Sequence, residues 1–180
     1  MTDKQLMSLV AEEKMEALGE LVKRHQSNAL SIAYRTVGAW DIAEDICQEA
    51  FIRVYRSAAK YQPTAKFTTW FYRIIVNLCI DEKRKSNRAP QDYSEYIDVL
   101  EDKQNINPMD KQIALDRKKA VWQALGQLNK RERITVVLHK FLGKSHREIA
   151  EITGWSLSAV ESLLVRAYQK LREKLKDINK

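Results

Sequence analysis

From Phe67 to Leu78 the large apolar side chains fall at Phe67, Trp70, Phe71, Ile74, Ile75 and Leu78. That is the i, i+3, i+4, i+7, i+8, i+11 series of one helix face, not the alternation a half-buried strand needs. The same period recurs along the chain. Leu6, Leu9 and Val10 predict a first helix. Leu18, Leu21 and Val22 with Ala29, Ile32 and Ala33 predict a second that stops near Gly38. Ile42, Ile46, Ala50, Phe51, Val54 and Tyr55 predict a third, and the Phe67 segment is the fourth. Ile113, Val121, Leu125 and Leu128 predict a fifth, and Ile134, Val137, Leu138 and Phe141 a sixth. No comparable alternation is present, so the expected fold is all-α.

The three prolines, Pro63, Pro90 and Pro108, fall between these patterns and act as punctuation. Between the last two lies an aperiodic stretch that carries Asp92, Glu95, Asp98, Glu101 and Asp102. This acidic island reads as a flexible linker over 90–110, between an N-terminal domain of 1–89 and a C-terminal domain of 111–180. Apart from it the balance is basic, with 31 Lys and Arg against 24 Asp and Glu. A net charge of +7 favours a polyanionic partner, nucleic acid or an anionic membrane surface. Two cysteines, Cys47 and Cys79, sit far apart in helical patterns, where a buried thiol is the default. Neither CxxC nor HxxxH spacing occurs, and the three histidines are scattered. No P-loop and no deaminase motif is present. The expectations are no metal, no cofactor and no enzymatic activity. The chain has no signal-peptide pattern and no apolar run long enough to span a bilayer. It is expected to be cytoplasmic, not inserted in a membrane, and monomeric when free.

Residues 144–175 read as helix, tight turn, helix. Ser145 and Glu148 form a capping box, and Gly154 supplies the turn. Ser158 and Glu161 suggest a second capping box that opens the next helix, whose inner face is Val160, Leu164, Ala167 and Leu171. Small Ala150, then Gly154 and Val160, match a DNA-binding helix-turn-helix. Its second helix would enter the major groove with Ser156, Ser158, Glu161, Ser162 and Val165 near base edges. Arg166, Lys170, Lys144 and Arg147 are better placed for phosphates. Glu161 has two readings: a helix cap, or an acceptor for a cytosine amine. His146 reads as a solvent-facing residue of the first turn.

The aromatics of 67–78 also have two readings. Aromatics beside cations suit single-stranded nucleic acid, but one apolar face suits a core. The core reading moves the nucleic-acid surface to the polar stripe Arg73, Asn77, Asp81, Arg84 and Arg88, with Lys83 and Lys85 beside it. The third helix differs. Its outer face, Asp41, Glu44, Asp45, Gln48, Glu49 and Arg53, is too acidic for DNA and suits a basic protein partner.

These motifs, EDICQEAF at 44–51, FTTWFYRIIVN at 67–77 with Asp81, and the helix-turn-helix, resemble a bacterial sigma-70-type sigma factor of the extracytoplasmic-function (ECF) group. The resemblance covers nearly the whole chain in the family's order. It implies a non-catalytic subunit of RNA polymerase that directs transcription initiation, with sigma region 2 and region 4 as its two domains. Asp45, Gln48 and Glu49 would dock on the polymerase β′ clamp. Gln62, Lys66, Arg73, Asn77, Asp81, Arg84 and Arg88 would meet the −10 element, and the 61–66 loop would hold a flipped non-template base. Arg147, Ser156, Ser158, Glu161, Ser162, Val165, Arg166 and Lys170 would meet the −35 element. The resemblance adds a contact with the β flap and an anti-sigma factor as partner. The acidic linker would run through polymerase channels, where its charge could mimic RNA. Many members carry lysine and arginine where this chain has Glu161 and Leu163.

Overall fold

The computed structural model describes residues 1–82 and 108–176, and every regular element among them is helical. The acidic linker residues and Lys83, Arg84, Lys85 and Arg88 lie outside the described residues. Helix α1 (Asp3–Ala11) opens with a capping box in which Thr2 accepts from the Gln5 N–H at 3.3 Å and donates its own N–H to Gln5 at 2.8 Å. Helix α2 (Met15–Val37) ends at Gly38, whose φ of 77° is a left-handed position that suits glycine. Helix α3 (Trp40–Ser57) follows at once, then a short 3₁₀ turn (Ala58–Lys60) and a loop to helix α4 (Phe67–Asp81).

Leu6, Leu21, Ile32, Phe71 and Ile75 are fully buried where these helices meet. The aromatics of α4 belong to this core. Phe67 stacks on Phe71 at 5.5 Å, Phe51 meets Phe71 at 4.8 Å, and His25 sits 5.1 Å from Phe67. The buried set is wider than one stripe. Tyr72, Val76 and Cys79 are buried too, while Trp70, Ile74 and Leu78 are only partly so. The cause is packing: α4 touches α2 and α3 and, on a third side, a helix from the C-terminal half. Cys47 and Cys79 are both buried, and burial pushes both thiols up to about 12.

Helix α5 (Pro108–Gly126) starts on its proline, so it overlaps the end of the stretch expected as linker. Its inner residues are Trp122, Ala124 and Leu125; Val121, expected on that face, is 36% exposed. Leu125 and Leu128 are buried as expected, and Trp122 takes the inward place beside them, packed against Tyr34 of α2 with ring centroids 5.1 Å apart. Helix α6 (Lys130–Val136) is capped by Asn129 and Glu132 and continues as a π-helical turn, Val137–Phe141. Glu132 is 1% exposed, and Lys170 holds both its oxygens at 2.9 and 2.8 Å.

Helix α7 (His146–Thr153) begins with the expected Ser145–Glu148 capping box and stops at Gly154, φ 74°. Helix α8 (Leu157–Leu175) starts two residues earlier than the second capping box required. Its N-cap is Ser156, whose hydroxyl accepts from the Ala159 N–H at 3.2 Å. Ser158 therefore lies inside the first turn, and Glu161 caps nothing there. Ser156→Ala is expected to destabilise the chain by about 1 kcal/mol. Ser158→Ala should stay within about 0.5 kcal/mol of wild type, as read by urea denaturation. The two halves are not separate bodies: α4 packs on α7, α2 on α6, and one hydrophobic cluster runs through both.

Candidate functional site

Three surfaces are built on this frame. The first is the outer face of α3. Asp45 and Gln48 are exposed there, and Glu49 is tied to Arg53 at 2.8 Å, one turn on. Ile52, 43% exposed, continues the row of Asp45, Gln48 and Glu49. It leaves one apolar side chain open among polar and acidic ones on this face. The sequence pattern could have flagged it, since position 52 follows 45, 48 and 49 at helical spacing.

The second surface joins α4 to the loop before it. Arg73, Asn77 and Asp81 are exposed along one side of α4, with Gln62 and Lys66 exposed in the loop. A pocket of about 410 Å³ opens here, lined by Tyr61, Pro63, Ala65, Lys66, Phe67 and Thr68 and, from α1, by Asp3 and Lys4. Asp3 is fixed by His25 Nε2 at 3.0 Å and Arg24 Nη1 at 3.3 Å. The Tyr61 phenol is held above its ordinary range by burial and by the Asp3 charge. Asp3 and Lys4 carry no local sequence signal, because only the fold brings α1 to this loop.

The third surface is the helix-turn-helix. Ser158, Glu161, Ser162, Val165 and Arg166 are exposed on α8, and Arg147 on α7; Val165 is 68% exposed. Ser156 is spent as the cap. Leu163, in contrast, is buried, so it belongs to the core of this half. Glu161 lies 3.8 Å from His146 Nδ1, so His146 is not simply solvent-facing. His139, ring to ring with His146 at 5.3 Å, meets the Tyr168 hydroxyl at 2.8 Å. Burial holds His139 below its usual value, helped by His146 and Lys140. Lys170, with its side chain 49% exposed, pairs with the buried Glu132 carboxylate at 2.8 Å.

A protein with a helix-turn-helix, a second exposed amide-and-arginine stripe and an acidic docking face is of the DNA-reading adaptor class. Comparison with known proteins narrows this. Residues 21–89 match Sigma-70 region 2 and residues 118–171 match Sigma-70, region 4. The ECF RNA polymerase sigma factor SigW of Bacillus subtilis is 30% identical over 91% of both chains. ECF RNA polymerase sigma factor SigE of Mycolicibacterium smegmatis is 36% identical over 89% of this chain; the chain spans 62% of that relative's length. Among solved structures, CnrH in complex with the cytosolic domain of CnrY is 28% identical, with a TM-score of 0.70 over 97% of each chain. The chain belongs to the ECF group of the sigma-70 family, subunits through which RNA polymerase initiates transcription at chosen promoters. No described helix is long and apolar enough to cross a membrane.

Proposed function

We propose that the chain docks on core RNA polymerase through α3 and reads a promoter in two parts. Asp45, Gln48 and Glu49, with Ile52 at the centre, form the docking patch for the β′ clamp. The α8 residues Ser158, Glu161, Ser162 and Val165 face base edges of a −35 duplex, while Arg147 and Arg166 neutralise phosphates. The C-terminal half also meets the β flap. Arg73, Asn77, Asp81, Gln62 and Lys66 bind the melted non-template strand of the −10 element, and the same role is assigned to Arg84 and Arg88. Regulation falls to a protein partner of the anti-sigma class.

The observation that carries this reading is the pocket between α1, the 61–66 loop and α4. Its lining combines charged and polar side chains with the aromatics Tyr61 and Phe67, and its volume of about 410 Å³ falls within the roughly 300–1,000 Å³ of small-ligand sites. An extruded base leaves its stack at a cost of a few kcal/mol, which such a pocket offsets. Trapping the unpaired strand shifts the melting equilibrium forward, so the chain needs no chemical step of its own. Joining two weak readers on one body raises the effective concentration of the second once the first is bound.

The test is run-off transcription with core polymerase on a genomic promoter library. Transcripts that start at a shared two-part sequence are expected, and Asn77→Ala should reduce them while retaining binding to core polymerase. A chain that binds core enzyme yet gives no promoter-selective start would sink the reading.

A further inference from the structure

The outer side of α8 carries one stripe of exposed residues. Ser158, Glu161, Ser162 and Val165 follow each other at i, i+3, i+4 and i+7, while Val160, Leu163, Leu164 and Ala167 are buried on the other side. No cation stands in the stripe. Arg166, next along the chain, turns back on its own helix, its Nε donating to Ser162 O at 3.2 Å. Arginine and lysine are the common readers of guanine, through O6 and N7. This stripe offers instead two hydroxyls, one carboxylate and one apolar side chain.

The carboxylate is not used up by the fold. The N-cap of α8 is Ser156, so Glu161, beyond the first turn, holds no helix end. Its side chain is 53% exposed, and its Oε1 lies 3.8 Å from His146 Nδ1. That distance is too long for a hydrogen bond and leaves both oxygens able to accept. A carboxylate is an acceptor only. Facing a duplex it is repelled by the phosphates, so it weakens each complex in which it meets no donor. The major groove offers donors at the exocyclic amines of cytosine and adenine. Adenine sets its amine beside the N7 acceptor, a pair that an amide side chain matches and a carboxylate does not. Cytosine presents its N4 amine without an acceptor on the same base edge.

We infer that Glu161 is a specificity-determining residue, whose carboxylate accepts from the N4 amine of one cytosine in the −35 duplex. The inference rests on the duplex-reading role given to α8 above and adds the base that one residue selects. A wrong base leaves the carboxylate desolvated and without a donor, which costs more than the lost bond alone. Rejection is therefore built into the same side chain as recognition.

The experiment uses the full chain in holoenzyme with core RNA polymerase. The −35 element of one promoter recovered by run-off transcription is randomised, and the templates that bind are sequenced. Wild type should favour cytosine, on one strand, at one base pair by about tenfold over the other bases. Glu161→Ala should flatten the preference at that pair and leave the other pairs as they were. Glu161→Gln should lower cytosine and raise adenine there, since an amide matches the adenine amine and N7 together. Both variants change an exposed side chain, so their urea unfolding midpoints should equal that of wild type. A profile that either variant leaves unchanged overturns the inference, as does a responding pair that favours a base other than cytosine in wild type. A wild-type holoenzyme that starts at promoters with no −35 preference at all defeats the duplex-reading role of α8 itself.

Discussion

Replacing Gln48 and Glu49 together by alanine is expected to abolish co-purification with core RNA polymerase without unfolding the chain. Gln48 is fully at the surface and Glu49 partly, so stability should change by no more than about 0.5 kcal/mol. Binding responds differently. Glu49 now holds Arg53 at 2.8 Å. Its loss removes an acid from a face suited to a basic partner and leaves the Arg53 guanidinium unneutralised there. Central interface residues cost about 2 kcal/mol or more each, so the pair should weaken docking by over a hundredfold. Ile52→Ser should act in the same direction through lost apolar contact alone, with little change in salt dependence. Normal co-purification of the double variant at an unchanged unfolding midpoint would remove the α3 face from the mechanism.

The second large effect concerns Glu132 and Lys170. Lys170→Met should lower the stability of the chain by about 1–3 kcal/mol, because the buried Glu132 carboxylate loses both close contacts with the ammonium. Burial alone would raise the Glu132 pKa; the Lys170 hydrogen bond, the backbone donor at Asn129 and the nearby Arg166 outweigh it and hold it below 4.5. A carboxyl depressed in the fold contributes stability above its unfolded value, and that contribution fades as pH falls through the folded one. The gap between wild type and variant should therefore be full at neutral pH and narrow below about pH 4.5. Salt titration of DNA binding gives the discriminating readout. Arg166→Met should reduce the slope of log K against log salt by about 0.9, as one lost phosphate contact does, and Lys170→Met should leave it unchanged. A slope lost with Lys170 would return that lysine to the DNA surface.

Much of this fold was legible because it is written in local terms. Helical spacing, Gly38, Gly154 and the Ser145–Glu148 box each act within a few residues, and each appears where the pattern puts it. The errors came from competition between equivalent local signals. Ser156 and Ser158 can both cap a helix, and the choice depends on where α7 and the Gly154 turn deliver the chain. Val121 and Trp122 are both apolar, and Tyr34 from the other half decides which turns inward. The outward placement of Asp45, Gln48 and Glu49, proposed above as the docking stripe, could be read from one helix. The pocket could not, since Asp3 and Lys4 reach it from far along the sequence. Nor could the role of Lys170, a surface cation on its own helix whose partner lies 38 positions away.

The two cysteines carry one more implication. A thiol with a pKa near 12 is ionised in only about one molecule in a hundred thousand at neutral pH, and the thiolate is the form that oxidants attack. Cys47 and Cys79 are thus chemically silent while the helices stay packed. Oxidants that act on thiolates would therefore find little to attack at these two positions in the folded subunit. Thiol chemistry at these positions would report unfolding of the helix packing rather than act on the folded form.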